Sequence, residues 1–117
     1  LGDARTHYSR AMKHYNAGNL PHAYRDIQMS LVAEPGNVHA LRLKFNILKT
    51  FYRLIFTRRA PTTIYAPSLL PEMISTLEAI AEASPEDDSI RVELNQYYKL
   101  RRAEEDKMKQ MRNGIDD

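Results

Sequence analysis

The stretch Ala33-Glu34-Pro35-Gly36-Asn37-Val38-His39-Ala40-Leu41 has a counterpart later in the chain, Ala83-Ser84-Pro85-Glu86-Asp87-Asp88-Ser89-Ile90-Arg91. In each, a proline follows one apolar-periodic segment, and an Asn or Asp stands near the start of the next. Proline lacks an amide hydrogen and pushes its predecessor out of helical backbone, so it marks a helix end. Asn, Asp and Ser offer a side-chain oxygen to the unpaired amides that open a helix. Each stretch therefore reads as a helix end, a short joint and a new helix. A recurring joint of this kind is the mark of stacked helix pairs, because each pair buries its open face only on the next.

Working outward, Arg5 to Ala17 places Tyr8, Ala11, Met12 and Tyr15 at helical spacing, and Gly18-Asn19 stops that segment. This predicts helix one over about 4–17. Asn19 is the expected cap of helix two, about 20–34, with Pro21 in its first turn and Ala23, Tyr24, Ile27 and Leu31 on its apolar stripe. A connection this short makes the two an antiparallel pair. Helix three, about 38–58 and capped by Asn37, repeats Leu41, Phe45, Leu48, Tyr52 and Ile55, broadened by Ala40, Leu43, Ile47, Phe51 and Leu54. So wide an apolar face demands neighbours on both flanks and puts this helix at the centre.

Ala60 to Pro67 reads as a loop, with Ile64 and Tyr65 pinned back on the domain. Helix four, about 68–83, takes Pro71 in its first turn and turns Met73, Ile74, Leu77 and Ala81 inward. Helix five, about 86–111, is expected to start on a Ser84 cap with Pro85 at the first helical position, and to bury Ile90, Leu94, Tyr97 and Tyr98. Beyond Leu100 mixed charge sustains helix through pairs such as Glu105 with Lys109, and the end from Asn113 is expected to fray.

Composition bounds the rest. A chain of 117 residues has room for one core, so a single all-α domain is expected. The absence of cysteine excludes disulfides, thiolate chemistry and thiolate-bound zinc or iron–sulfur centres, and leaves the compartment open between cytoplasm and periplasm. No apolar run approaches the roughly 18 residues of a membrane span. The opening Leu1-Gly2-Asp3-Ala4 resembles neither a signal peptide nor a natural start, so the chain reads as a piece of a longer protein. Its formal charge of +2 is unevenly placed: Val38 to Ala66 carries Arg42, Lys44, Lys49, Arg53, Arg58 and Arg59 with no acid, while Glu82 to Glu93 is acid-rich. That field favours an acidic partner.

The segment Tyr15-Asn16-Ala17-Gly18-Asn19-Leu20-Pro21-His22-Ala23-Tyr24-Arg25-Asp26-Ile27 resembles the helix-turn-helix core of a tetratricopeptide repeat, with Gly18, Ala23, Ile27 and Pro35 in that family's turn, small, large and closing places. The likeness covers residues 4 to about 100. It is weaker in the second unit, where Phe45 stands in a small site and Met73 replaces the expected Ala, and where about 50 residues fill the usual ~34. The resemblance implies a short right-handed solenoid of about five helices, roughly two units and a C-terminal capping helix. It further implies that the first helix of each pair lines a concave groove.

Carried onto this sequence by periodicity, that groove presents Arg5, Tyr8, Met12 and Tyr15, then His39, Arg42, Asn46 and Lys49 with Arg53 beyond them, then Ser89, Val92, Gln96 and Lys99. The expected function is a non-catalytic module that binds a peptide or protein segment, acidic in character and held by Arg42 with Asn46. The alternatives are a nucleic acid tracked by the basic third helix, with Tyr52 or Tyr65 stacking, and self-association through Met108 and Met111. His7 and His14 share a helix face about 10.5 Å apart, too far for one ion, and no acid stands at ligand spacing beside them in the sequence. No phosphate loop, nucleophile elbow, paired catalytic carboxylates or cofactor motif appears, so no enzyme, metal or cofactor is expected.

Overall fold

The computed structural model describes residues 3–56 and 66–116, which form five α-helices and no strand: α1 (Ala4–Asn16), α2 (Leu20–Ala33), α3 (Val38–Phe56), α4 (Ala66–Ala83) and α5 (Asp88–Asp116). Residues 57–65, with the expected contributions of Arg58, Arg59, Ile64 and Tyr65, lie outside the described part.

Asp3 opens α1 by accepting from the Thr6 amide at 2.8 Å and the Thr6 hydroxyl at 2.9 Å. The backbone bond, before any other influence, lowers its carboxyl below the usual range. At the other end Gly18 turns into left-handed backbone, φ +78°, and the Gly18 and Asn19 amides donate to the Tyr15 and His14 carbonyls at 3.0 and 2.8 Å. The chain reverses in three residues, and α1 lies against α2. Ala11 and Ala23, both wholly buried, keep that pair close. Asn19 does not cap α2 with its side chain as expected; its Oδ1 is 2.9 Å from His22 Nδ1, a competing partner one turn on.

The two joints fold alike. The Asn37 amide donates to the Glu34 carbonyl at 3.3 Å, and the Asp87 amide to the Ser84 carbonyl at 3.1 Å. Asn37 Oδ1 then accepts from the Ala40 amide at 3.2 Å, and Asp87 Oδ1 from the Ser89 amide at 3.1 Å. The cap of α5 is thus Asp87, not Ser84, and the helix starts at Asp88 rather than 86. The Ser84 amide instead donates back to Ile80 and closes α4, which leaves Pro85-Glu86 in the turn between the helices.

Two further boundaries depart from expectation. Helix α4 begins at Ala66, so Pro71 sits inside it rather than in its first turn, and its missing N–H forfeits one helical bond. Helix α5 extends to Asp116, past the expected boundary near 111. Its distal part is rich in Arg, Lys, Glu and Met, whose helix propensity sustains it, and no salt bridge between described residues joins Glu105 to Lys109.

The core centres on α3, whose Ala40, Leu41, Leu43, Phe45, Ile47, Leu48 and Phe51 are all buried. Packing is sequential: α1 on α2, α2 on α3, α3 on α4, α4 on α5, with α1 also touching α3. The molecule measures 57 × 35 × 21 Å, and its thinnest dimension is about two helix diameters. A polar joint ties the pairs together. Glu72 of α4 accepts from the Tyr24 hydroxyl of α2 and lies 3.3 Å from Lys44 Nζ of α3, while Gln28 donates to Tyr24 at 3.1 Å. Burial, reinforced by Glu72, raises the Tyr24 phenol pKa, so it stays a donor.

Candidate functional site

Side-chain contacts run in the same order along α1, α3 and α5, so the three helices point the same way. Arg5 and Tyr8 stand with His39, while the Tyr15 hydroxyl lies 3.5 Å from Thr50 Oγ1 further along. On the other flank Arg42 meets Asp87, and Lys49 meets Glu93.

The two flanks differ in spacing. Helices α1 and α3 touch, but among the described residues no Cα of α3 comes within 8 Å of a Cα of α5. That gap is crossed by long side chains. Arg42 donates to Asp87 at 2.7 Å, Lys49 Nζ is 3.8 Å from Glu93, the Phe45 and Tyr97 rings meet edge-on with centroids 5.7 Å apart, and Tyr52 donates to Glu104 at 3.4 Å. Below the struts a depression of about 190 Å³ is floored by Leu77, Ile80 and Ile90 and edged by Arg42, Asn46 and Glu93. A second, of about 370 Å³, continues past Lys49 among Tyr52, Arg53, Gln96, Tyr97 and Leu100. Lys49 borders both, so the two lie next to one another along the same gap, the α3–α5 trough.

The ten sequence-predicted site residues are thereby sorted. Arg42, Asn46, Lys49, Arg53 and Gln96 line the α3–α5 trough. Arg5, Tyr8 and His39 line a separate hollow of about 340 Å³ with Glu34 and Asn37, where the Ser30 hydroxyl ties α2 to the Ala4 carbonyl at 2.8 Å. Met12 and Tyr15 border neither and pack, half-buried, on the core. Sequence reasoning missed the trough's Phe45, Tyr97 and Leu100, all read as inward or terminal positions. Wide spacing between two helices leaves no periodic signal, so nothing in the pattern separated wall residues from core.

The charge of the middle stripe is largely answered within the chain. Asp87 holds Arg42, and the Ser89 hydroxyl first, then Arg42, lowers the Asp87 carboxyl below its usual range. Glu93 faces Lys49, and Glu72 faces Lys44. Arg53 is exposed and forms no salt bridge to a described residue. Burial, with Glu104 beside it, pushes the Tyr52 phenol up to about 12, and burial also raises Tyr97. Both are neutral over the physiological range and offer ring faces together with O–H groups.

Between α1 and α2, Asp26 supplies the acid absent from the sequence neighbourhood of His7 and His14. Its Oδ1 is 3.7 Å from His7 Nδ1 and its Oδ2 is 3.7 Å from His14 Nε2, while the His14 and His22 rings are 5.2 Å apart. Each ring addresses a different oxygen. Among the described residues no group of three or more His, Asp or Glu is placed to hold a metal ion, and no helix is long and apolar enough to cross a membrane. Comparisons with protein-family models, with curated proteins and with solved structures found no match to this chain.

Proposed function

We propose that the chain is a non-catalytic interaction domain of divergent tetratricopeptide type that holds a segment of a partner protein in the α3–α5 trough. The observation that carries this reading is the trough itself, two adjacent depressions between helices that meet only through side chains. Aromatic and aliphatic walls under a polar rim are the composition of a peptide-binding surface. The matching joints at 34–37 and 84–87, with the positive φ of Gly18, support the repeat assignment. A tracked phosphate backbone is the weaker alternative, since Arg42, Lys44 and Lys49 each already face an acid.

Asn46 is exposed on α3 and lines the first depression, so Asn46→Trp fills the trough without touching the core. Panning a random peptide library on phage against both forms tests the proposal. Peptides enriched by the wild type and lost on Asn46→Trp, with an unchanged circular dichroism spectrum, support it; equal enrichment on both, or none on either, overturns it.

A second reading, self-association, rests on Met108 and Met111, which are 63% and 62% exposed one turn apart on the distal part of α5. Light scattering decides it: a monomer mass at high concentration removes the contact, and a dimer dissolved by Met108→Glu with Met111→Glu establishes it.

A further inference from the structure

We infer that the distal half of the trough is a two-point reader: it takes one aromatic or bulky aliphatic side chain between Tyr52, Tyr97 and Leu100, and pairs the acidic residue beside it with Arg53. This deepens the trough proposal and rests on it.

The first point is a matter of shape and exposed surface. At about 370 Å³ the depression lies at the small end of ligand-sized pockets, room for one large side chain with its backbone. Its walls already have neighbours within the chain. The Tyr97 ring packs edge-on with Phe45, and the Tyr52 hydroxyl lies 3.4 Å from Glu104, so both rings are positioned in the folded domain. A partner side chain immobilised against pre-positioned rings costs the receptor little ordering entropy.

The second point is a matter of what charge is left over. Along the α3 side of the trough stand three cations. Arg42 is spent on Asp87 at 2.7 Å, and Lys49 faces Glu93 at 3.8 Å. A carboxylate arriving at either must first compete with a resident acid. Arg53 has no salt-bridge partner among the described residues, is exposed, and lines the same depression as the rings. Its planar fork suits a carboxylate, and its position makes acid next to a bulky apolar residue the complementary pattern. The acid-reading residue is therefore Arg53 rather than Arg42.

The experiment is library panning on the folded chain and on Arg53→Glu, an exposed substitution that leaves the core intact. Peptides enriched by the wild type are expected to place Phe, Tyr, Trp, Leu or Met beside Asp or Glu, and Arg53→Glu is expected to turn that acid preference into a preference for Lys or Arg. In fluorescence anisotropy, Arg53→Glu should weaken a selected acidic peptide about tenfold, and exchanging the peptide's acid for Lys should recover it. Enriched peptides that are lost on Asn46→Trp but lack the apolar–acid pair, or are indifferent to Arg53→Glu, overturn this inference and leave the trough proposal standing. No enrichment at all overturns both.

Discussion

Two glycines stand in two turns of this chain, and only one of them is there for its backbone. Gly18 has φ +78°, while Gly36 has no positive φ, and a Cβ added at either would meet nothing within 4 Å. Any cost of adding a side chain at Gly18 is therefore conformational, with no steric part to confuse it. Left-handed backbone costs an L-residue about 1–2 kcal/mol. Replacing Gly also restricts the unfolded chain, which returns about 0.4–1 kcal/mol. Gly18→Ala should thus lose roughly 1 kcal/mol, a fall in Tm of about 4 °C for a domain of this size. Gly18→Val should lose more, roughly 2 kcal/mol, because β-branching narrows the allowed backbone further, and Gly18→Asn less, since Asn tolerates this region. Gly36→Ala should be neutral or stabilising by up to about 1 kcal/mol. The chain contains its own control, for Glu86 fills the place of Gly36 in a joint with the same hydrogen bond, so Gly36→Glu should also be tolerated. Thermal melts followed by circular dichroism measure the series. If Gly18→Ala melts with the wild type, or Gly36→Ala falls as far as Gly18→Ala, the conformational assignment is wrong.

Glu72→Gln should cost about 2–3 kcal/mol by denaturant titration, because it weakens the acceptor of Tyr24 and leaves Lys44, whose side chain is only 15% exposed, without its counter-charge. Adding Lys44→Met to Glu72→Gln, which keeps an amide oxygen for Tyr24, should recover most of that loss, and a double variant no better than the single one would refute the pairing. Asp3 and Asp87 both have folded pKa values lowered below the usual one, so the stability they contribute is present at neutral pH and is lost as pH falls below about 4 and through those lowered values. Melts between about pH 6 and about pH 3 should show that decline, and Asp87→Asn should flatten it; an Asp87→Asn profile parallel to the wild type would remove the Arg42 and Ser89 contacts from the account.

How far the sequence could be read follows from which forces are local. The apolar repeat of Leu41, Phe45, Leu48 and Tyr52 is a property of one helix, so α3 and its central place were legible, as were Gly18 and the Asn37 cap. Caps failed where neighbours compete: Asn19 spends its oxygen on His22, and Ser84 is consumed in closing α4, which passes the cap of α5 to Asp87. The candidate site was legible only as a stripe. Arg42 and Asp87 lie 45 positions apart in the sequence, and no helical period says that they will meet. Hence the reading that α3 offers a free cationic face did not anticipate that Arg42 is answered by the cap of α5 and Lys49 by α5 itself.

The trough lies on one side of α3 and not the other, and the two flanks differ at one equivalent position. In the proposed repeat, Ala11 of α1 and Phe45 of α3 hold equivalent places. Ala11 is wholly buried and has only a methyl group to hold neighbours off, and α1 approaches both α2 and α3. Phe45 carries a ring, and that ring meets Tyr97 edge-on between α3 and α5, where no Cα pair comes within 8 Å among the described residues. Two rings meeting edge-on occupy room that a small residue would leave open. The oversized residue that weakens the resemblance of the second unit thus lines the first depression and meets Tyr97, whose ring, with Tyr52 and Leu100, walls the second. A departure from a repeat pattern that both keeps the core filled and leaves an aromatic-lined gap is the kind of local compromise that binding surfaces require.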